Sequence, residues 1–227
     1  MKEPEKLTVK VNDQDTVTAY VYPGARSNRA AATIVLGHGA GANQLSAFMQ
    51  LFAKGLAERG LDVVTFNFVY MEQGRSVPDQ KAKLEACYRA VIEAARSHKT
   101  LKNNRLAIGG KSMGGRIASQ VVAADANNID GLVCLGYPLH PPGNPNKLRV
   151  EHLPNIRVPI LFVQGTRDTF GSPDEIRHFA KNIRAKVKIY EIEGGDHSFK
   201  VPKSAQLTQE QVYSNVMDEI VTWVSAL

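Results

Sequence analysis

Residues 108–118 read IGGKSMGGRIA, and two different loops fit them. Gly110-Lys111-Ser112 matches the end of a phosphate-binding loop. Gly110-Lys111-Ser112-Met113-Gly114 fits G-x-S-x-G, the tight turn that presents a nucleophilic serine. A phosphate loop needs another glycine five places before Gly110, and Arg105 stands there. Leu106, Ala107 and Ile108 occupy the rest of that loop and read as strand. The serine turn needs a strand before it and a helix after it, and NRLAI and RIASQVVAA supply them. A side chain two places before or after the serine would collide across the turn; Gly110 and Gly114 avoid this, and Gly115 adds room. The helix then points free N–H groups and the positive end of its dipole at the serine.

A serine hydroxyl is a poor nucleophile unless a base takes its proton. In folds built on this turn the partners follow in the order Ser, acid, His, each in a loop after a strand. ILFVQGTRD places Asp168 just beyond one strand, and IYEIEGGDH places His197 just beyond the next. Asp174 and Asp196 are rival acids, but Asp174 opens a helix and Asp196 adjoins His197, pointing elsewhere. Ser112, Asp168 and His197 are therefore the expected catalytic residues. An oxyanion formed at the serine needs two N–H donors. The backbone of Met113 is one, and the loop GHGAGA offers Ala40 as the other, with Gly41 next. That loop also fits a dinucleotide fingerprint, but the following strand ends Thr65-Phe66-Asn67-Phe68, with no acid for a ribose. Asp62 lies at the wrong end of that strand, and His38 is expected to brace a turn beneath the site.

Strands and helices alternate along the chain. KLTVKV and TVTAYVY flank the turn-rich NDQD and suggest a hairpin. AATIVLG, LDVVTFNF, NRLAIGG, DGLVCLG, VPILFVQG and KVKIYEI read as strands, separated mostly by runs with helical periodicity, and SAQLTQEQVYSNVMDEIVTWVSAL, residues 204–227, reads as the last helix. This pattern implies a mostly parallel central sheet with helices on both faces. A length of 227 residues with 43% hydrophobic suits one domain spanning 1–227. The one long irregular stretch, residues 136–157, is too short for a helical cap, so no cap domain is expected. An open site would then be walled by Tyr137, Pro138 and His140, and by Tyr70, Met71 and Arg75 from VYMEQGR. Arg75 fits either an anionic substrate or a structural salt bridge, the commoner fate of such an arginine.

The composition narrows the class. Cys87 and Cys134 lie far apart in apolar stretches and read as buried free thiols in a reducing compartment. The charged N-terminus shows no leader, and no apolar run approaches the ~18 residues of a membrane helix, so a cytoplasmic protein with no membrane partner is expected. The net charge of +6 is scattered; the densest patch, residues 176–188, reads as a solvated helix end, and no nucleic-acid partner is expected. No metal and no cofactor are called for, and either a monomer or a homodimer fits.

GHGAGA, GGKSMGG, GTRD and GGDHSF together resemble a small α/β-hydrolase. FNFVYMEQGR and GYPLHPPG make the chain similar to cap-less proteins related to dienelactone hydrolase, the KANL/Tex-type hydrolase-like group. The resemblance runs from AATIVLGHGAGA to the C-terminal helix. It implies the α/β-hydrolase fold and hydrolysis of a small-molecule ester or related acyl compound through an acyl-enzyme, a carboxylesterase-like chemistry. Ser112 would be the nucleophile, His197 base then acid, and Asp168 its orienter. Dienelactone hydrolase has a cysteine nucleophile where Ser112 stands, so lactone specificity does not carry over. The alternative is a catalytically weak hydrolase-fold scaffold that binds proteins.

Overall fold

The computed structural model describes residues 3–227, the side chain of residue 28 excepted; residues 1 and 2, part of the stretch read for a leader, lie outside it. Strands β1 (Glu5–Lys10) and β2 (Thr16–Tyr22) form the expected antiparallel hairpin. Asn12 shapes its turn, its side-chain oxygen accepting the N–H groups of Gln14 and Asp15, both at 2.8 Å. Six strands follow: β3 (Ala32–Gly37), β4 (Asp62–Phe66), β5 (Arg105–Lys111), β6 (Gly131–Leu135), β7 (Ile160–Gly165) and β8 (Val187–Ile192). They run parallel to one another, and β2 joins antiparallel to β4, giving the order β1-β2-β4-β3-β5-β6-β7-β8.

Burial on both faces explains why β3 to β7 read as nearly continuous apolar runs. Successive side chains alternate between faces. Ile34 and Leu36 of β3 pack with α1 (Ala47–Glu58) and α6 (Gln209–Ser225), through Phe52, Leu56, Met217 and Ile220. Val35 and Ile108 point the other way, into α3 (Lys81–Ser97) and α4 (Met113–Ala124), meeting Tyr88, Val91, Ile117 and Val121. Ile176 of α5 (Pro173–Ala180) joins this second layer. Each fully buried large apolar side chain contributes about 2–3 kcal/mol, so the two layers hold the sheet rigid beneath its loops.

Two elements depart from the sequence expectation. A single helical turn, α2 (Val69–Glu72), occupies part of the segment VYMEQGR. The last helix starts at Gln209 rather than near residue 204, because Thr208 and Gln211 form a reciprocal cap there (Gln211 N to Thr208 Oγ1, 3.2 Å; Thr208 N to Gln211 Oε1, 2.9 Å). Residues 136–157 contain one 3-10 turn, Leu153–Asn155, and no cap domain covers the sheet among the described residues. Cys87 and Cys134 are both free and buried. Among the described residues no helix is long and apolar enough to cross a membrane.

Candidate active site

The loops after β3, β5, β7 and β8 gather at the carboxyl end of the parallel strands, where open α/β sheets form clefts. Ser112 closes β5 and begins α4 with φ 50° and ψ −112°, a conformation that non-glycine residues rarely adopt. Its N–H donates to Leu135 O of β6 at 2.9 Å, which ties the turn to the sheet. The flanking glycines are required, but their main obstacle is the neighbouring strand rather than the turn itself. A Cβ on Gly110 would lie 2.2 Å from Gly37 O, and one on Gly114 would lie 2.1 Å from the same oxygen. Strand β3 and the start of α4 can approach so closely only without side chains there.

The three side chains located separately in the sequence meet at this point. Ser112 Oγ lies 2.8 Å from His197 Nε2, and His197 Nδ1 lies 2.7 Å from Asp168 Oδ2. The hydrogen-bond network assigns the tautomer: Nδ1–H donates to the carboxylate, leaving Nε2 to accept from the serine. Asp168 is fully enclosed, and its oxygens also accept the Phe170 N–H at 2.8 Å and the Gln164 side-chain amide at 2.7 Å. The Phe170 ring stacks on the imidazole with centroids 4.1 Å apart, fixing its plane. Asp196 turns away, its Oδ1 accepting the N–H groups of Ser198 and Lys200, which pins the loop carrying His197. Asp174 heads α5, where its carboxylate pairs with Arg177.

Ala40 and Met113 border the space above Ser112, and among the described residues neither backbone N–H is engaged by another protein group. Gly41, the second choice for a donor, lines neither cavity beside the serine; its N–H faces the Tyr70 phenol. His38 braces the loop as expected. Its Nδ1–H donates to Gly39 O at 2.9 Å, and its Nε2 accepts the Phe68 N–H at 3.1 Å, linking the β3 and β4 loops. Burial pushes its pKa down to about 4, the Gly39 carbonyl opposing, so this ring is neutral.

Two cavities flank the serine. The larger, about 540 Å³, lies between α1, the His197 loop and Phe170, with Phe48, Met49 and Lys111 in its walls. The smaller, about 260 Å³, lies on the far side of Met113. Lys111 is nine-tenths buried, 5.8 Å from the Phe48 and Phe199 rings, and its ammonium has no hydrogen-bond partner. Burial lowers its pKa to about 8, against the pull of Asp168 and Asp196.

Five of the six side chains expected to wall the site do other work. Pro138 does line the smaller cavity. Tyr137 is fully buried, its hydroxyl donating to Arg149 O at 2.7 Å. His140 is buried against Glu175 at 3.1 Å. Tyr70 lies in the core beside His38 and Phe68, and Met71 packs against the same cluster. Arg75 pairs with Asp79 at 2.6 Å, the structural fate weighed for it. The single turn of α2 accounts for Tyr70: it folds Val69 and Tyr70 into the core instead of leaving them as an open wall. Residues to which the sequence assigns no role in a hydrolase site include Gln164, Phe170, Lys111, Arg116 and Arg149. Gln164 alone left a trace, as the one polar residue inside the apolar run ILFVQG. Among the described residues no group of three or more His, Cys, Asp or Glu could hold a metal ion.

A mostly parallel sheet in this strand order, with no cap over it among the described residues, is the α/β-hydrolase fold. A family model for the alpha/beta hydrolase domain matches residues 30–225, and the chain belongs to that family. Solved structures with the same fold include an alpha-beta serine hydrolase homologue from Coxiella burnetii (17% identity, 99% of both chains covered, TM-score 0.75). A serine hydrolase without a lid from Xanthomonas campestris (17% identity, 99% and 96% covered, TM-score 0.74) and dienelactone hydrolase from Anabaena variabilis (15% identity, 98% and 97% covered, TM-score 0.77) share it as well.

Proposed function

We propose that this protein is a carboxylesterase-like serine hydrolase that cleaves a small ester or related acyl compound through an acyl-enzyme. The observation that carries this reading is the unbroken relay from Ser112 Oγ to His197 Nε2 (2.8 Å) and from His197 Nδ1 to Asp168 Oδ2 (2.7 Å). Distances of this size allow proton transfer without rearrangement. His197 takes the hydroxyl proton as Ser112 Oγ attacks the acyl carbon, and Asp168 holds the tautomer and stabilises the imidazolium. The N–H groups of Met113 and Ala40 receive the oxyanion, helped by the positive end of α4. His197 then gives its proton to the leaving oxygen. Water enters, loses a proton to His197 and releases the acid, restoring Ser112.

Two buried free thiols favour a reducing compartment such as the cytoplasm. The partner this chemistry needs is a small acyl compound; monomer and homodimer both serve it. The test is a fluorophosphonate probe, whose phosphorus stands in for the attacked carbon. Wild type is expected to be labelled, and Ser112→Ala to lose labelling and ester turnover together. A folded wild type that resists the probe overturns the reading and leaves a non-catalytic scaffold. His197→Ala and Asp168→Asn are each expected to lower kcat by about 10³-fold or more.

A further inference from the structure

We propose that the acyl half of the substrate ends in a carboxylate held by Arg116 and Arg149, so that hemi-esters of short dicarboxylic acids are preferred. The inference rests on Ser112 being the nucleophile. It begins from the smaller cavity, whose walls include Ala40, Ser112, Met113, Pro138, Arg116 and Arg149. Arg116 lies four residues beyond Ser112 and donates its N–H to Ser112 O at 3.0 Å, so its side chain shares the helix face that the serine opens. Arg149 arrives from the irregular segment 136–157. That segment folds back on itself to place it, Arg149 N donating to Leu139 O at 2.9 Å and Tyr137 holding Arg149 O.

Neither guanidinium has a carboxylate partner among the described residues. Arg149 donates to Pro138 O at 3.3 Å, and Arg116 Nε is buried with no acceptor. The nearby acids are already committed. Asp79 holds Arg75 at 2.6 Å and the Tyr70 N–H at 2.9 Å, while Glu85 faces Lys81 at 3.5 Å. Two arginines therefore share one half-buried wall, and among the described residues neither makes a direct ion pair; Glu85 acts on Arg116 only at longer range. Burial first, and then the repulsion from Arg149, lower the pKa of Arg116. A bound anion would satisfy both forks at once, since planar guanidinium and carboxylate match in geometry.

The position of His197 decides which half of the substrate carries the charge. His197 lines the larger cavity and not the smaller one. The leaving oxygen must reach His197 for its proton, so the alcohol occupies the larger, apolar cavity and the acyl group the smaller. At about 30 Å³ per water-sized group, 260 Å³ accepts on the order of eight heavy atoms, the size of a glutaryl group. Asp79 on the same wall favours a singly charged carboxylate over a phosphate dianion.

The experiment compares 4-nitrobenzyl hydrogen glutarate with 4-nitrobenzyl pentanoate, which share leaving group and chain length. The hemi-ester is expected to have at least a tenfold higher kcat/KM at low salt. That ratio should fall to about one in Arg116→Gln and in Arg149→Gln, chiefly through KM. Equal kcat/KM for the two esters in wild type overturns the proposal. A second measurement needs no turnover: calorimetric titration of Ser112→Ala with glutarate, pentanoate and inorganic phosphate. Binding of glutarate but not pentanoate, weakened by Arg149→Gln, supports the subsite. Phosphate binding without glutarate binding overturns the carboxylate assignment. If neither ester turns over and wild type resists the fluorophosphonate, the hydrolase reading fails, and the titration still decides the anion site by itself.

Discussion

The carboxylate of Asp168 can orient His197 because Gln164 positions it. That amide donates to Asp168 Oδ2 and to Gly171 O, both at 2.7 Å, and its oxygen accepts the Tyr137 N–H at 2.8 Å. It is fully buried, so no water can replace it for these partners. Gln164→Leu would strand the Tyr137 N–H and Gly171 O without solvent, at about 1–3 kcal/mol each at most. The expected outcome is a clear fall in melting temperature together with a loss of roughly tenfold in kcat, with KM little changed. Gln164→Glu, which can still accept from Tyr137 but sets a carboxylate against Asp168, should reduce turnover further than Leu. A variant that lowers stability alone would reduce Gln164 to a packing residue. The sequence marked Ser112, Asp168 and His197 because chemistry and chain order constrain them. Gln164 stayed hidden because its role depends on the loop after β7 folding back over it and on Tyr137 arriving from the loop after β6.

At the scale of elements, the junction of β3, β5 and α4 is the tightest point. The carbonyl of Gly37 faces both Gly110 and Gly114 at distances no Cβ tolerates. Gly114→Ala therefore forces β3 and α4 apart, and backbone cannot yield as a flexible side chain would. The expected cost is about 3 kcal/mol or more, read as a shift in the chemical-denaturation midpoint, with Ser112 displaced and fluorophosphonate labelling slowed. An unchanged midpoint would mean the junction is loose. The element order was legible from apolar runs and helical periodicity, because burial on both sheet faces imposes that pattern. The turn α2 was not legible: four residues give no period to detect. The start of α6 was placed early because a cap competes with periodicity, and the Thr208–Gln211 pair ends the frayed segment.

Across the whole molecule, the site depends on loops from different parts of the chain staying in register, and His38 links two of them. Its pKa of about 4 lies below the ordinary histidine value of 6.5. Above pH 6.5 both folded and unfolded chains leave this ring neutral. Below it the unfolded chain takes up a proton that the fold refuses until about pH 4, so stability falls across that window. The expected loss is about 3 kcal/mol between pH 6.5 and 4, measured as a fall in unfolding free energy. His38→Gln, which retains a donor and an acceptor, should be less stable at neutral pH and show a flatter acid limb. An equally steep limb in that variant would assign the acid sensitivity to other groups, such as His152, whose pKa burial also lowers to about 4.

Amino-acid order alone determined that Ser112, Asp168 and His197 belong together and that the strands form a mostly parallel sheet. Turn stereochemistry and the two-residue and near-four-residue periods of strand and helix are local, so they are written into neighbouring residues. The lining of the cleft was decided only by folding. Tyr137, His140 and Tyr70 had the right chemistry and the right loops, yet core packing and hydrogen bonds drew them inward. Arg75 found Asp79 four residues away, whereas Arg116 and Arg149, 33 positions apart, were brought to one cavity with no ion-pair partner among the described residues. Which charges are paired is a property of three-dimensional neighbours, and no one-dimensional pattern records it.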